Sequence, residues 1–523
     1  MGLASSGMLC NAGGLSMMGC VRGRAATMST DTVPRRREVS ALPWELPLGA
    51  QLAIALELCE RFGFYSLLSL LALFLSADRS AGGFGWERTP ALTLLGVYSG
   101  LMYALPVVGG WVADRLLGHR RALIVGGSMM CLGYVLLMSP ALLPRLLEFL
   151  GETGATAQLA AITAPLGTWH VPSGLTPAAA HLYLAVSAAF WTAIVLLVAG
   201  NSFFKSTLVV VLGDNFEGDD GVRETAYAYY YTSINVGGLL AGFVAGAVAV
   251  AYGWAAAFGI SALAVGAALA VYIGLSGGLP GRRHGAVTAT ATTPAPPPER
   301  AAGKRLFILA VFAALLLIYS IGSFQLYGVM SLFLEHDVDR RVGSFTIPTQ
   351  WFTSVDSAAL IIAAPAFAAL WTWLARRGRE PDILHKYAIA LALGAAGLLL
   401  FAAVARPHPA DSAPGWILPA IGITVQATGE VAAWTASYGL VYRLAPKRWA
   451  SAVMGAFYAA TLGLGAYLAG VLGRFAQPWG EGHYFLVFGV VTAAAAIVAL
   501  LIGRPLRQMA AASGAALRVR TGQ

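Results

Sequence analysis

From Leu48 to Ser76 the chain reads LGAQLAIALELCERFGFYSLLSLLALFLS. About 20 mainly apolar residues suffice for a helix to cross the hydrocarbon core of a bilayer. The run exceeds that length, and charge enters it only at Glu57, Glu60 and Arg61. Their spacing of i, i+3 and i+4 puts all three on one helical face and leaves the other faces apolar. Eleven further runs of this kind follow, at 90–114, 121–143, 181–212, 227–250, 252–276, 305–334, 350–375, 384–405, 415–442, 450–472 and 483–503. They are long and continuous, unlike the short alternating segments of a transmembrane barrel. The expected fold is therefore all-α, a polytopic membrane protein with twelve transmembrane helices.

Composition points the same way. Of 523 residues, 58% are hydrophobic and 11% charged, against roughly a quarter charged in a soluble domain. A soluble enzyme, a disordered scaffold and a disulfide-built secreted protein are all excluded. Cys10, Cys20, Cys59 and Cys131 fall in the N-terminal tail or in apolar runs and imply no disulfide framework.

The segment 277–304 contains Thr293-Pro294-Ala295-Pro296-Pro297-Pro298-Glu299-Arg300 and reads as an extended linker. It divides the chain into a tail (1–44), six helices (45–276), the linker, six more helices (305–505) and a second tail (506–523). The stretch 144–180 reads as a long polar connection. With the N-terminus inside, and with charges at the run ends (Arg121, Arg305, Lys386) counted in the adjoining connections, 25 of the 34 Lys and Arg residues fall on the inner face and 7 on the outer, while Arg61 and Lys205 lie deep within spans. That bias predicts cytoplasmic termini in a plasma (inner) membrane. The net charge of +9 is then a topology signal and not a nucleic-acid footprint. The N-terminal tail lacks the apolar core of a cleavable signal, Met28 reads as a start as well as Met1, and a myristoyl anchor at Gly2 would be redundant. Gly109-Gly110-Trp111-Val112-Ala113-Asp114-Arg115 after the second run is echoed by Leu374-Ala375-Arg376-Arg377-Gly378-Arg379 after the eighth. Such an internal repeat belongs to carriers that work by alternating access.

An ionised side chain at the centre of a span costs about 2.5–3.5 kcal/mol on insertion scales. Six occur: Glu57, Glu60, Arg61, Lys205, Asp356 and Glu430. The acids outnumber the bases by two, and an uncompensated buried carboxylate is a proton acceptor. Read structurally, the six are assembly ion pairs; read functionally, they are a proton-coupled binding site. The acidic loop Asp214-Asn215-Phe216-Glu217-Gly218-Asp219-Asp220 reads as a solvated connection, with a metal site of a membrane enzyme as the alternative. The histidines fall in connections or span ends, and no nucleophile elbow, zinc-protease or phosphate-loop motif occurs. No metal or cofactor is expected.

Glu57-x-x-Glu60-Arg61-Phe62-x-x-Tyr65 resembles the first-helix signature of the proton-dependent oligopeptide transporter family of the major facilitator fold. Gly109-Gly110-x-x-Ala113-Asp114, Tyr231-Thr232-Ser233-Ile234-Asn235-Val236-Gly237, Ile347-Pro348 with Ala364-Pro365, and Gly429-Glu430 with Leu444-Ala445-Pro446-Lys447-Arg448 extend the resemblance over about 45–505. It implies two six-helix bundles and import of di- and tripeptides with protons. The shared face of Glu57, Glu60 and Arg61 and the excess of acid make these three the expected proton-coupling unit, and the resemblance adds Glu430. It puts Arg61, Tyr65 and Lys205 at the peptide carboxylate and Asn235 and Glu430 near its amine. Trp434, one turn beyond Glu430, is expected to face the same cavity, and Tyr103 and Asp356 are expected to bind substrate with it. The resemblance further implies that Lys205 and Glu430 pair across the two halves.

The pocket departs from the family pattern. Phe64 stands where a second tyrosine is common, Leu68 where an arginine is, and Phe324-Gln325 where Glu-Gln is. Asp356 replaces an asparagine, Trp434 a serine, and Phe457 a tryptophan. The 277–304 linker has no room for the two extra helices common in bacterial members. The expected partners are a small peptide, protons and the lipid bilayer, with the chain acting as a monomer. A same-fold symporter for another small zwitterion or organic anion is the nearest alternative; a membrane enzyme and a non-transporting receptor are further ones.

Overall fold

The computed structural model describes residues 42–78, 81–149, 176–216, 220–276, 299–407, 413–446 and 450–513. The N-terminal tail to residue 41, most of the 277–304 linker, the core of the 144–180 connection, Glu217–Asp219 and the end of the C-terminal tail lie outside them. All twelve apolar runs fall on helices. The first half contains α1 (Leu48–Ser76), α2 (Arg88–Ala104), α3 (His119–Phe149), α4 (Pro177–Gly213), α5 (Asp220–Leu240) and α6 (Trp254–Ser276). The second contains α7 (Glu299–Ser323), α8 (Trp351–Arg376), α9 (Ile383–Val404), α10 (Ile417–Leu444), α11 (Ala450–Tyr458) and α12 (Glu481–Leu501), with a short α13 (Gly503–Ala512) behind it. Among the described residues, ten helical stretches are long and apolar enough to cross a membrane, eleven when α2 is counted with its continuation Pro106–Leu117, from which it is bent by 40°. The remaining run lies on α10, a helix of 28 residues whose apolar course is diluted by Gln426 and Glu430. The fold is that of an all-α, multi-pass membrane protein.

Prolines explain where the helices depart from the simple runs. Pro106 removes a backbone donor just after Ala104 and accounts for the bend in the second span. Pro140 and Pro144 mark an expected end of α3 near residue 143, yet the helix continues to Phe149. Membrane helices tolerate proline when neighbours and local adjustment satisfy the freed carbonyls, and buried Leu143 and Leu147, one turn apart, hold this end against the core. In the seventh span α7 stops at Ser323, a tight turn covers Phe324–Tyr327, and helix resumes at Val329–His336. The break lies beside the cavity described below.

Helix α1 is the central element: 83% of its most apolar window is buried, against 11% for α8. Lipid-length helices with one apolar exterior and small residues at their contacts pack through close backbone approach. One such approach lies between α2 and the end of the eleventh span, where a Cβ on Gly470 would sit 2.4 Å from the Leu92 carbonyl oxygen and 2.5 Å from the Gly96 Cα. Hydrogen bonds also tie the halves together. Arg88 donates to Glu481 at 2.6 Å, the Trp351 indole to the Phe243 carbonyl at 3.1 Å, and Ser354 to the Leu239 carbonyl at 2.7 Å. These contacts lie toward the end of the molecule opposite the basic loop after α2. Overpacking of a close contact costs about 1–3 kcal/mol. Gly470→Ala is therefore expected to lower the thermal midpoint of the purified protein, and an unchanged midpoint would show that the two helices do not meet there.

Candidate functional site

The charged residues of α1 fold back on themselves and on α4. Glu57 and Glu60 are fully buried, and Arg61 is 5% exposed. Arg61 grips Glu60 with both arms of its guanidinium, Nε to Oε2 at 2.5 Å and Nη2 to Oε1 at 2.7 Å. Its Nη2 also donates to Asn201 Oδ1 at 3.3 Å, and its Nε lies 3.6 Å from Glu57. The Phe64 ring lies beneath, 4.5 Å from Arg61 Cζ, so an apolar ring supports the guanidinium where the family pattern would put a hydroxyl. Asn201 is itself fixed by donating to the Met102 carbonyl at 2.8 Å. Gly237 lets α5 approach, since a Cβ there would come within 2.8 Å of Arg61 Cβ and the Leu58 carbonyl.

Lys205 of α4 donates to Glu57 and lies 3.3 Å from the Tyr230 hydroxyl, which donates to the other Glu57 oxygen at 2.7 Å. The first half thus holds two acids and two bases in one bonded network. The second half holds carboxylates. Glu430 accepts from Ser323 at 3.0 Å, and Asp356 is about nine-tenths buried.

These groups meet at a cavity of about 190 Å³. Arg61, Tyr65, Tyr103, Lys205, Asn235, Asp356, Glu430 and Trp434, the eight residues expected to bind substrate, all line it. Glu57 and Glu60 stand behind that wall, reaching it through Lys205 and Arg61. The expected Lys205–Glu430 pair is not formed in this structure: Lys205 bonds Glu57, and Glu430 bonds Ser323. A lysine in a low-dielectric site takes the nearest carboxylate, and Glu57 is fully buried against it. Ser323, Tyr319, Phe324 and Tyr327 also line the cavity and are not among the expected residues. They surround the break after α7, which apolar patterning does not reveal. Where an arginine is common in the family, Leu68 is fully buried, an environment that would strand a cation. Gln325, also buried, turns its amide nitrogen to the Ile321 and Ala469 carbonyls at 3.2 and 3.4 Å.

Trp434 is buried and stacks on Tyr458, with centroids 5.5 Å apart and planes inclined by 12°. Both rings form one wall of the cavity. A large aromatic fills roughly 150–250 Å² of contact surface. Trp434→Ser is expected to widen the range of substrates accepted, with longer ligands gaining most. A competition panel whose ranking stays unchanged would place the ring outside the binding path.

A membrane-embedded cavity between two helical halves, with cations on one wall and carboxylates on the other, defines a secondary carrier. Comparison with known proteins gives the family. The family model described as PTR2, POT family, matches residues 120–277 and 298–481, and the chain belongs to the POT family, a family of transporters. The matched segments take in Lys205, Asn235, Asp356, Glu430 and Trp434. The first helix lies before them. Among curated relatives, the peptide transporter YePEPT of Yersinia enterocolitica is 25% identical, over 80% of this chain and 85% of the relative. Dipeptide and tripeptide permease A of Escherichia coli strain K12 is 23% identical over 92% and 97%. A solved structure of a peptide transporter POT in complex with sulfate shares the fold with a TM-score of 0.73 at 19% identity, covering 90% of this chain and 97% of that one.

Proposed function

We propose that the protein is a proton-coupled symporter of di- and tripeptides that works by alternating access in the plasma (inner) membrane, with both termini cytoplasmic. The observation that carries this reading is the polarity of the cavity. Arg61 and Lys205 border it from the first half, Asp356 and Glu430 from the second. A peptide is a zwitterion whose carboxylate and ammonium are separated by the length of its backbone, and it requires one pole of each sign. The names of the relatives, peptide transporter and dipeptide and tripeptide permease, support the substrate class.

Coupling follows from the same contacts. In the resting network Arg61 is engaged by Glu60, and Lys205 by Glu57. Protonation of either glutamate neutralises its partner's counterion and turns the cation toward an arriving carboxylate. Because one pole lies in each half, a bound peptide draws the halves together about itself, as in other two-repeat carriers. The cavity is complete within one chain, which supports a monomeric transport unit.

Uptake into liposomes under an imposed inward proton gradient, against a panel of dipeptides, tripeptides and free amino acids, tests the proposal. Concentrative, ionophore-sensitive uptake of the peptides is the expected result. Uptake of amino acids or other small zwitterions in place of peptides would favour the same-fold alternative, to which the altered wall at Trp434 and Asp356 is the pointer.

A further inference from the structure

The charges around the cavity do not balance, and the excess is localised. Glu57 and Glu60 are each bonded to a base, Arg61 or Lys205, and the two bases are each bonded to an acid. That network closes on itself in the first half. Asp356 and Glu430 have no cationic partner among the described residues. Glu430 receives a hydroxyl from Ser323. Asp356, about nine-tenths buried, has no hydrogen bond or ion pair among the described residues, yet it lines the cavity. Both carboxyl groups line the same cavity, with Tyr65, Tyr319 and Tyr327 among its other lining residues. A simple dipeptide brings a single ammonium, which satisfies one carboxylate and leaves the other exposed to the same low-dielectric space. Uncompensated charge in such a place is costly.

We propose that the cavity selects substrates with a second cationic group, namely peptides bearing a lysine- or arginine-type side chain, with Glu430 taking the backbone ammonium and Asp356 the side-chain cation. The inference rests on the peptide reading for the backbone of the ligand. The side-chain cation is recognised by the charge of Asp356 and not by shape, so removing the charge at constant length removes the preference. A bond from a cation to a buried carboxylate contributes about 1.5–3 kcal/mol, which corresponds to roughly 10- to 100-fold in affinity.

Calorimetric binding to the detergent-purified full chain, where no membrane potential acts on charged ligands, gives the test. Alanyl-lysine is compared with alanyl-(Nε-acetyl)lysine and alanyl-norleucine, and free lysine with Nε-acetyl-lysine. Alanyl-lysine is expected to bind at least about 10-fold more tightly than either neutral analogue, and Asp356→Asn is expected to bring the three within about twofold. Equal affinities in the unmodified protein would overturn the proposal, as would a preference that persists in Asp356→Asn. Equal affinities combined with a second proton taken up per binding event would assign Asp356 to proton traffic, and equally overturn it. If Asp356→Asn does not fold, the acetylation series on the unmodified protein decides alone. If no dipeptide binds, the peptide reading fails, and the lysine pair still scores the second cation.

Discussion

A Glu60→Gln protein is expected to lose gradient-driven accumulation while keeping counterflow exchange. Glu60 is almost wholly buried and is held by Arg61 through two short bonds, at 2.5 and 2.7 Å. Such a bidentate, charge-assisted pair occupies the guanidinium. A proton on Glu60 weakens the pair and lets Arg61 face the cavity it already lines. Glutamine has the same shape, carries no charge and cannot titrate. It therefore reproduces the protonated state at every pH, and the protein binds and exchanges substrate without consuming the gradient. The uncharged partner forfeits about 1.5–3 kcal/mol of bonding to Arg61, so substrate affinity at neutral pH is expected to rise while accumulation falls to the passive ratio. Glu57→Gln acts in the same sense through Lys205. Paired measurements of proton-driven uptake and counterflow check the prediction; full concentrative uptake by both variants would show that neither glutamate couples the proton.

Much of this arrangement is legible in the order of residues alone. The first run, 48–76, coincides with α1, Leu48–Ser76, because a continuous apolar stretch in a membrane protein has one solution for its backbone, a helix that satisfies its own hydrogen bonds. The gathering of Glu57, Glu60 and Arg61 follows from their spacing. What a linear order does not contain is the register of one helix against another. Tyr229, Tyr230 and Tyr231 are equivalent as letters, yet it is Tyr230 whose hydroxyl reaches Glu57, because successive residues on a helix are turned by about 100° and the packing of α5 on α1 selects one of them. The partner of Lys205 is equally open to a linear reading: Glu57 and Glu430 are both intramembrane acids, and an alternating carrier can bring a lysine to either. Ser323, Phe324 and Tyr327 escape for a different reason. They lie at the break after α7, and a mainly apolar run with a few scattered polar residues gives no sign of where its helix is interrupted.

Lys205→Ala is expected to destabilise the protein, and Glu57→Gln to relieve the loss. Removing one member of a buried ion pair leaves an uncompensated charge and commonly costs about 3–5 kcal/mol, whereas removing both is tolerated. Glu57 is fully buried, and its partners are Lys205, the Tyr230 hydroxyl and, at 3.6 Å, Arg61. Without Lys205 the remaining charge is shared only with an arginine that Glu60 already holds, so the loss falls toward the lower end of that range. In Lys205→Ala with Glu57→Gln the stranded charge is gone and an amide can still accept from Tyr230, so stability returns though transport does not. Lys205→Ala with Glu430→Gln is the control that separates the two candidate partners. Glu430 bonds Ser323 in this conformation, and its neutralisation leaves Glu57 stranded. Thermal midpoints and membrane-inserted yields of the singles and both doubles give the coupling energies directly, with residues in contact expected to couple by about 0.5–3 kcal/mol. Coupling to Glu57 with near-additivity to Glu430 identifies the pair that holds this conformation. The reverse pattern would mean that Lys205 spends its resting time across the cavity, and that the contact with Glu57 belongs to another step of the cycle.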